Sequence, residues 1–80
     1  MKTHELKISP EYFVQVETGK KKFELRYNDR GFLEGDFLFL REWDKGKYTG
    51  RDIFVRVTSI LKEFEGLKDG WVIMSIKVEL

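Results

Sequence analysis

The chain of 80 residues contains no cysteine, one histidine and one proline. Without cysteine there is no disulfide staple, no thiolate zinc site and no cysteine nucleophile. His4 stands alone, so a metal held by two histidines is excluded, and Asp44, Asp52 and Asp69 lack the spacing of a calcium loop. No metal and no cofactor are therefore expected. Neither a G-x-x-x-x-G-K phosphate loop nor a G-x-G-x-x-G turn is present, which argues against nucleotide-dependent chemistry. Apolar runs do not exceed four residues (Phe37–Leu40), far short of a bilayer span. The start, Met1-Lys2-Thr3-His4-Glu5, leads into no apolar stretch, so a cytoplasmic protein without membrane contact is expected. An excess of one charge is missing too: 15 Lys and Arg against 14 Asp and Glu leave +1. That balance excludes a generic nucleic-acid coat and a polybasic membrane anchor.

What the chain does have is aromatic mass: seven Phe, three Tyr and two Trp, each ring burying a large area in a domain too small for a second core. A single domain over residues 1–80 is expected. Thr3 to Ile8 reads as a strand with Leu6 and Ile8 on one face. Ser9, Pro10 and Glu11 suit an N-cap, a first helical position and an acid at the positive end of the dipole. Tyr12, Phe13 and Val16 supply helical spacing up to Gly19, which ends a helix of about two and a half turns. Phe23 and Leu25 alternate with Lys22, Glu24 and Arg26, the pattern of a half-buried strand. Tyr27 to Glu34 reads as loop, and Gly35-Asp36 opens a strand from Phe37 to Trp43 whose apolar run predicts contact on both faces. Asp44-Lys45-Gly46-Lys47 reads as a turn that is not a strict two-residue hairpin loop.

A long strand follows from about Arg51 to Leu61, with Ile53, Val55 and Val57 opposite Phe54, Arg56 and Thr58. Lys62 to Gly70 is a charged connection, and Trp71 to Val78 is the last strand. The order β-α-β-β-β-β with short connections predicts a mixed α/β, mainly β domain. We expect a curled antiparallel sheet of about five strands, a small closed or nearly closed barrel, with one short helix after the first strand.

Charge is concentrated in one window. Lys20, Lys21, Lys22, Arg26 and Arg30 against Glu24 and Asp29 give +3 over residues 20–30, leaving −2 for the rest. Such a patch binds phosphate even in a near-neutral protein, or else decorates a solvated strand edge. Strand parity puts Lys22, Glu24 and Arg26 on one face, opposite Phe23 and Leu25. In a cleft, that trio offers fixed donors to a phosphate and an acceptor to a base edge.

The stretch Gly19-Lys20-Lys21-Lys22-Phe23-Glu24-Leu25-Arg26 fits G-x-K-x-x-E-x-R and resembles the signature of ASCH (activating signal cointegrator homology) domains, small β-barrels related to the PUA domain. Gly35-Asp36 ahead of an apolar strand is similar to a second landmark of that family, and the likeness is strongest to short bacterial and phage ASCH-like proteins. The resemblance implies an RNA-binding module that takes RNA, a nucleoside or a nucleotide in a cleft. Gly19 would turn the backbone at its mouth, and Lys21, Glu24 and Arg26 would line it. Lys20, Asn28 and Arg30 extend the candidate surface, and Trp71 is placed to stack on a base or to cap the barrel end.

Some ASCH relatives are hydrolases of acylated cytidine, pairing the signature lysine with a threonine three residues on and a downstream glutamate. Here Lys21 matches, but Glu24 occupies the threonine position, which removes the hydroxyl nucleophile. A small amidohydrolase using Lys21 and Glu24 is thus an alternative. A protein-interaction module using the Lys62–Gly70 loop is another.

Overall fold

Alternation along the first strand is borne out in a computed structural model of the chain, which describes residues 1–79. In β1 (Thr3–Ile8), Leu6 and Ile8 point into the core and Glu5 and Lys7 outward. Ser9 caps α1 (Pro10–Glu17), where proline opens the helix and Phe13 and Val16 form its buried stripe. Thr18 closes the helix, with its hydroxyl donating to the Val14 carbonyl (2.8 Å), and Gly19 follows at φ +80°. That left-handed conformation suits glycine, and the Gly19 amide then reaches the Val16 carbonyl at 3.1 Å.

The remaining strands are β2 (Phe23–Tyr27), β3 (Phe37–Asp44), β4 (Lys47–Leu61) and β5 (Trp71–Val78). They form one sheet in the order β1-β3-β4-β5-β2, curled into a half-barrel around the helix stripe and Phe32. Among the described residues, no helix is long and apolar enough to cross a membrane.

Several sequence expectations need correction. The β1–β3 pairing is parallel while the other three are antiparallel. The chain leaves β1, makes α1 and β2, and returns beside β1 in the same direction, which only a long connection permits. The sheet also stops short of closure, because β1 and β2 are both edges.

The turn after β3 is a two-residue hairpin after all. Asp44 pairs with Lys47 across Lys45 and Gly46, whose φ values of 50° and 83° are those of a type I′ turn. β4 therefore begins at Lys47. Lysine at the first central position is not a usual signal for that turn, which is why the pattern misled.

The apolar run of β3 does make contact on both faces: Leu38 and Leu40 are buried, and on the outer face the partly buried Phe39 stacks on Phe54 at 4.7 Å while Arg56 lies over Phe37 at 4.9 Å. The facing of β2, by contrast, is inverted. Glu24 is buried, while Phe23 and Leu25 are each 47% exposed. A bulge between Val57 and Ser59 likewise shifts parity in β4, so Ile60 rather than Ser59 turns toward the core.

Asp36 fastens the open end of the half-barrel. Its carboxylate accepts from the Lys2 amide (3.0 Å), the Leu33 amide (3.1 Å) and His4 Nε2 (2.8 Å). Burial pushes the carboxyl upward, but the hydrogen bonds from His4, Lys2 and Leu33 and the His4 charge outweigh it, lowering it to about 2. An ionised carboxylate only accepts, so His4 donates from Nε2. Its ring packs edge-on to Phe32 at 4.8 Å. The Gly35-Asp36 pair is thus a clasp between β1 and β3.

Candidate functional site

Because the sheet remains open, a cleft of about 690 Å³ lies between β1 and β2. One wall is the end of β1 with Ser9 and Tyr12, and the other is β2 with Tyr27 and Trp71. The volume falls within the range of small-ligand pockets. Phe23, Tyr12, Tyr27, Phe32 and Trp71 make the lining aromatic, and Glu24, Lys21, Arg26, Arg30 and Asp29 make it charged.

Glu24 organises the charged part. Its Oε1 accepts from Lys21 Nζ (2.5 Å) and its Oε2 from Arg26 Nε (3.0 Å), with the carboxylate side chain only 4% exposed. Lys21 Nζ also donates to the Phe23 carbonyl (2.7 Å) and lies 4.9 Å from the Phe23 ring centre. The partner expected from parity was Lys22. It is Lys21, reaching over from the turn, that makes the contact, while Lys22 is exposed. The inversion of β2 follows from this arrangement: a buried carboxylate needs cationic partners, and Lys21 and Arg26 supply both.

Arg26 and Arg30 have a second task. Arg26 Nη2 donates to the Lys7 carbonyl (2.8 Å) and Arg30 Nη1 to the Glu5 carbonyl (2.9 Å), both on β1. Two guanidinium groups therefore span the seam where strand pairing would have closed the barrel. Part of the donor capacity that the charge window promised is committed to Glu24 and to this seam.

The other candidates separate. Gly19 and Lys20 lie outside the cleft lining. Asn28 accepts the Phe32 amide on its side-chain oxygen (2.9 Å) and lines a neighbouring groove with Lys62, Glu63 and Asp69. Glu63, in the loop downstream of the signature, is therefore not in the cleft that holds Lys21 and Glu24. Trp71 lines the cleft and both smaller grooves, and it meets Tyr27 edge-on at 6.0 Å.

Sequence reasoning missed Tyr12, Phe23 and Tyr27 as cleft residues. Tyr12 sits one residue before the buried Phe13, hence off the helix stripe, and that offset was a readable signal. Phe23 and Tyr27 share the parity of Leu25, so they became visible only once the strand was known to be inverted. A second polar cluster was also missed: Glu42 continues the inward face of Leu38 and Leu40, and Thr49 Oγ1 (2.6 Å) and Arg51 Nη2 (3.1 Å) donate to it from the irregular stretch of β4 opposite.

A solved structure described as hypothetical protein PH0355 superposes with a TM-score of 0.68, covering 99% of this chain and 100% of that one at 22% identity. That likeness is one of fold. An uncharacterized 12.9 kDa protein in the GpA 3′ region of Escherichia phage P2 is 41% identical over 68 residues, 85% of this chain. The match spans 62% of the phage protein's length. The family described as a domain of unknown function, DUF3850, matches residues 3–76, nearly the whole of the fold from β1 to β5, and the chain belongs to that family.

Proposed function

We propose that the cleft binds RNA through unpaired nucleotides and that the protein is an RNA-binding module rather than an enzyme. The observation that carries this reading is the buried Glu24 held between Lys21 and Arg26 inside an aromatic-lined cleft. Single-stranded RNA is recognised by stacking bases on aromatic rings and hydrogen-bonding their edges, with cations nearby for the phosphate. Tyr27 and Trp71 offer the rings. Glu24 keeps acceptor capacity beyond its two partners, and Lys21 keeps at least one free N–H. The resemblance of residues 19–26 to the ASCH signature supports the same reading, in a PUA-like setting. Glu24 in place of the threonine of hydrolytic relatives argues against acyl transfer.

The test is an amide NMR titration with short single-stranded RNA at low and near-physiological salt. Shifts confined to the two walls of the cleft, residues 6–12 on one side and residues 21–30 with Trp71 on the other, and persisting at the higher salt, are the expected result. Diffuse or absent shifts refute the proposal. Turnover of acylated nucleosides that disappears in Lys21→Ala would replace it with the hydrolase reading.

A further inference from the structure

Tyr27 and Trp71 form a ridge, and the backbone fixes it in place. The Asn28 amide donates to the Gly70 carbonyl at 2.7 Å and the Trp71 amide to the Lys68 carbonyl at 3.0 Å. A Cβ added to Gly70 would lie 2.6 Å from Tyr27 Cε1, so the Tyr27 ring lies directly against the loop backbone. Behind this ridge is a second groove of about 280 Å³, walled by Leu25, Leu67, Lys68 and Trp71. Leu25 and Trp71 line the main cleft as well, so the two spaces adjoin across these side chains.

Resting on the RNA reading of the main cleft, we infer that the ligand is a single-stranded oligonucleotide rather than a lone nucleoside, with its second base in the groove behind Trp71. The groove is just below the pocket range for drug-sized ligands, a size suited to one base. It presents one aromatic face, apolar walls from Leu25 and Leu67, and the cationic Lys68 at its rim for the connecting phosphate. The third groove touching Trp71 contains Glu63 and Asp69 beside Lys62, and its two acids repel a phosphate. Charge therefore directs the strand past Leu25 toward Lys68.

The experiment compares UMP with the dinucleotide pUpU by NMR titration, on the native protein and on the double variant Leu67→Ser/Lys68→Ala. Both substituted side chains lie outside the main cleft, and retention of the native amide spectrum confirms the fold of the variant. Stacking of the second base predicts that pUpU binds about 5-fold or more tighter than UMP. In the variant, pUpU falls to the level of UMP, while UMP binding is unchanged. If pUpU binds no tighter than UMP, or if the variant keeps the full gain, the inference is overturned and the main cleft keeps its reading. If neither ligand shifts any resonance, both are overturned.

Discussion

Replacing Asp36 by Asn tests whether a single carboxylate clasps β1 to the body of the domain. Asp36 accepts three hydrogen bonds, from the Lys2 amide at 3.0 Å, His4 at 2.8 Å and the Leu33 amide at 3.1 Å. Asparagine has one acceptor oxygen. If that oxygen takes the place serving His4 and Leu33, its NH₂ faces the Lys2 N–H, donor against donor. Hydrogen bonds to a charged group contribute about 1.5–3 kcal/mol each, so losing one and opposing two donors should cost about 2–4 kcal/mol near neutral pH. A domain of this size has a total stability of about 4–12 kcal/mol, so the effect is large.

The pH dependence gives the sharper discrimination. The folded-state pKa is lowered from 3.8 to about 2, so between those values the unfolded chain binds more protons. The stabilisation is complete above the unfolded pKa and disappears as pH falls through the folded one. It amounts to at most about 2 kcal/mol, because solvent near the chain start screens part of it. Urea unfolding followed by tryptophan fluorescence, at several pH values from 7 down to 2.5, measures both terms. The native protein and Asp36→Asn should differ most above pH 5, and the gap should narrow steadily from about pH 4 down to 2.5, closing only below the folded-state value of about 2. A stability gap that stays constant from pH 5 to 2.5 would refute the idea that the Asp36 charge is what the three donors hold.

Gly70→Ala should lower the melting temperature and move the Tyr27 ring resonances, because the added methyl carbon would lie 2.6 Å from that ring and φ is +83°. About 1–3 kcal/mol is the expected cost, and an unchanged melt would count against a fixed ridge. Thr49→Val should cost about 1 kcal/mol by removing the 2.6 Å donor to Glu42, and its effect should be non-additive with Arg51→Ala, since both side chains serve the same carboxylate. Strict additivity in a double-mutant cycle would show that Glu42 does not couple them. RNA affinity should fall with salt at a slope no steeper than about −2, from about −0.7 for each of Lys21, Arg26 and Arg30. Arg26→Ala should weaken binding more than Lys45→Ala, and equal losses would remove the case for a defined site.

Local chemistry was legible in the sequence wherever it was self-contained. Ser9-Pro10 and Gly19 mark the two ends of α1, and the alternation of Leu6 and Ile8 gives the inner face of β1, because caps and parity depend on near neighbours alone. The candidate site was legible in composition but not in orientation. In β2, the period of two is clear, yet which face turns inward depends on Lys21 and Arg26 being able to satisfy Glu24 below the surface, and that is a tertiary fact. The parallel neighbour of β1 and the groove behind Trp71 depend on segments far apart in the chain. The bulge at Thr58 breaks parity without any glycine or proline to announce it, whereas the irregular stretch of β4 opposite Glu42 contains Gly50 at φ +94°.

A sheet that stops halfway round exposes raw strand edges, and raw edges invite other chains to add on. This molecule covers one of them with charge: the carbonyls of Glu5 and Lys7 are occupied by Arg30 and Arg26. On the proposed reading of the cleft, edge protection and ligand binding would draw on the same guanidinium groups. A ligand that pulls Arg26 off the Lys7 carbonyl uncovers the β1 edge, so occupancy of the cleft and sheet growth between molecules become linked equilibria. Arg26→Ala is then a self-association variant as well as a binding variant, and its light scattering should rise with concentration where that of Lys45→Ala does not.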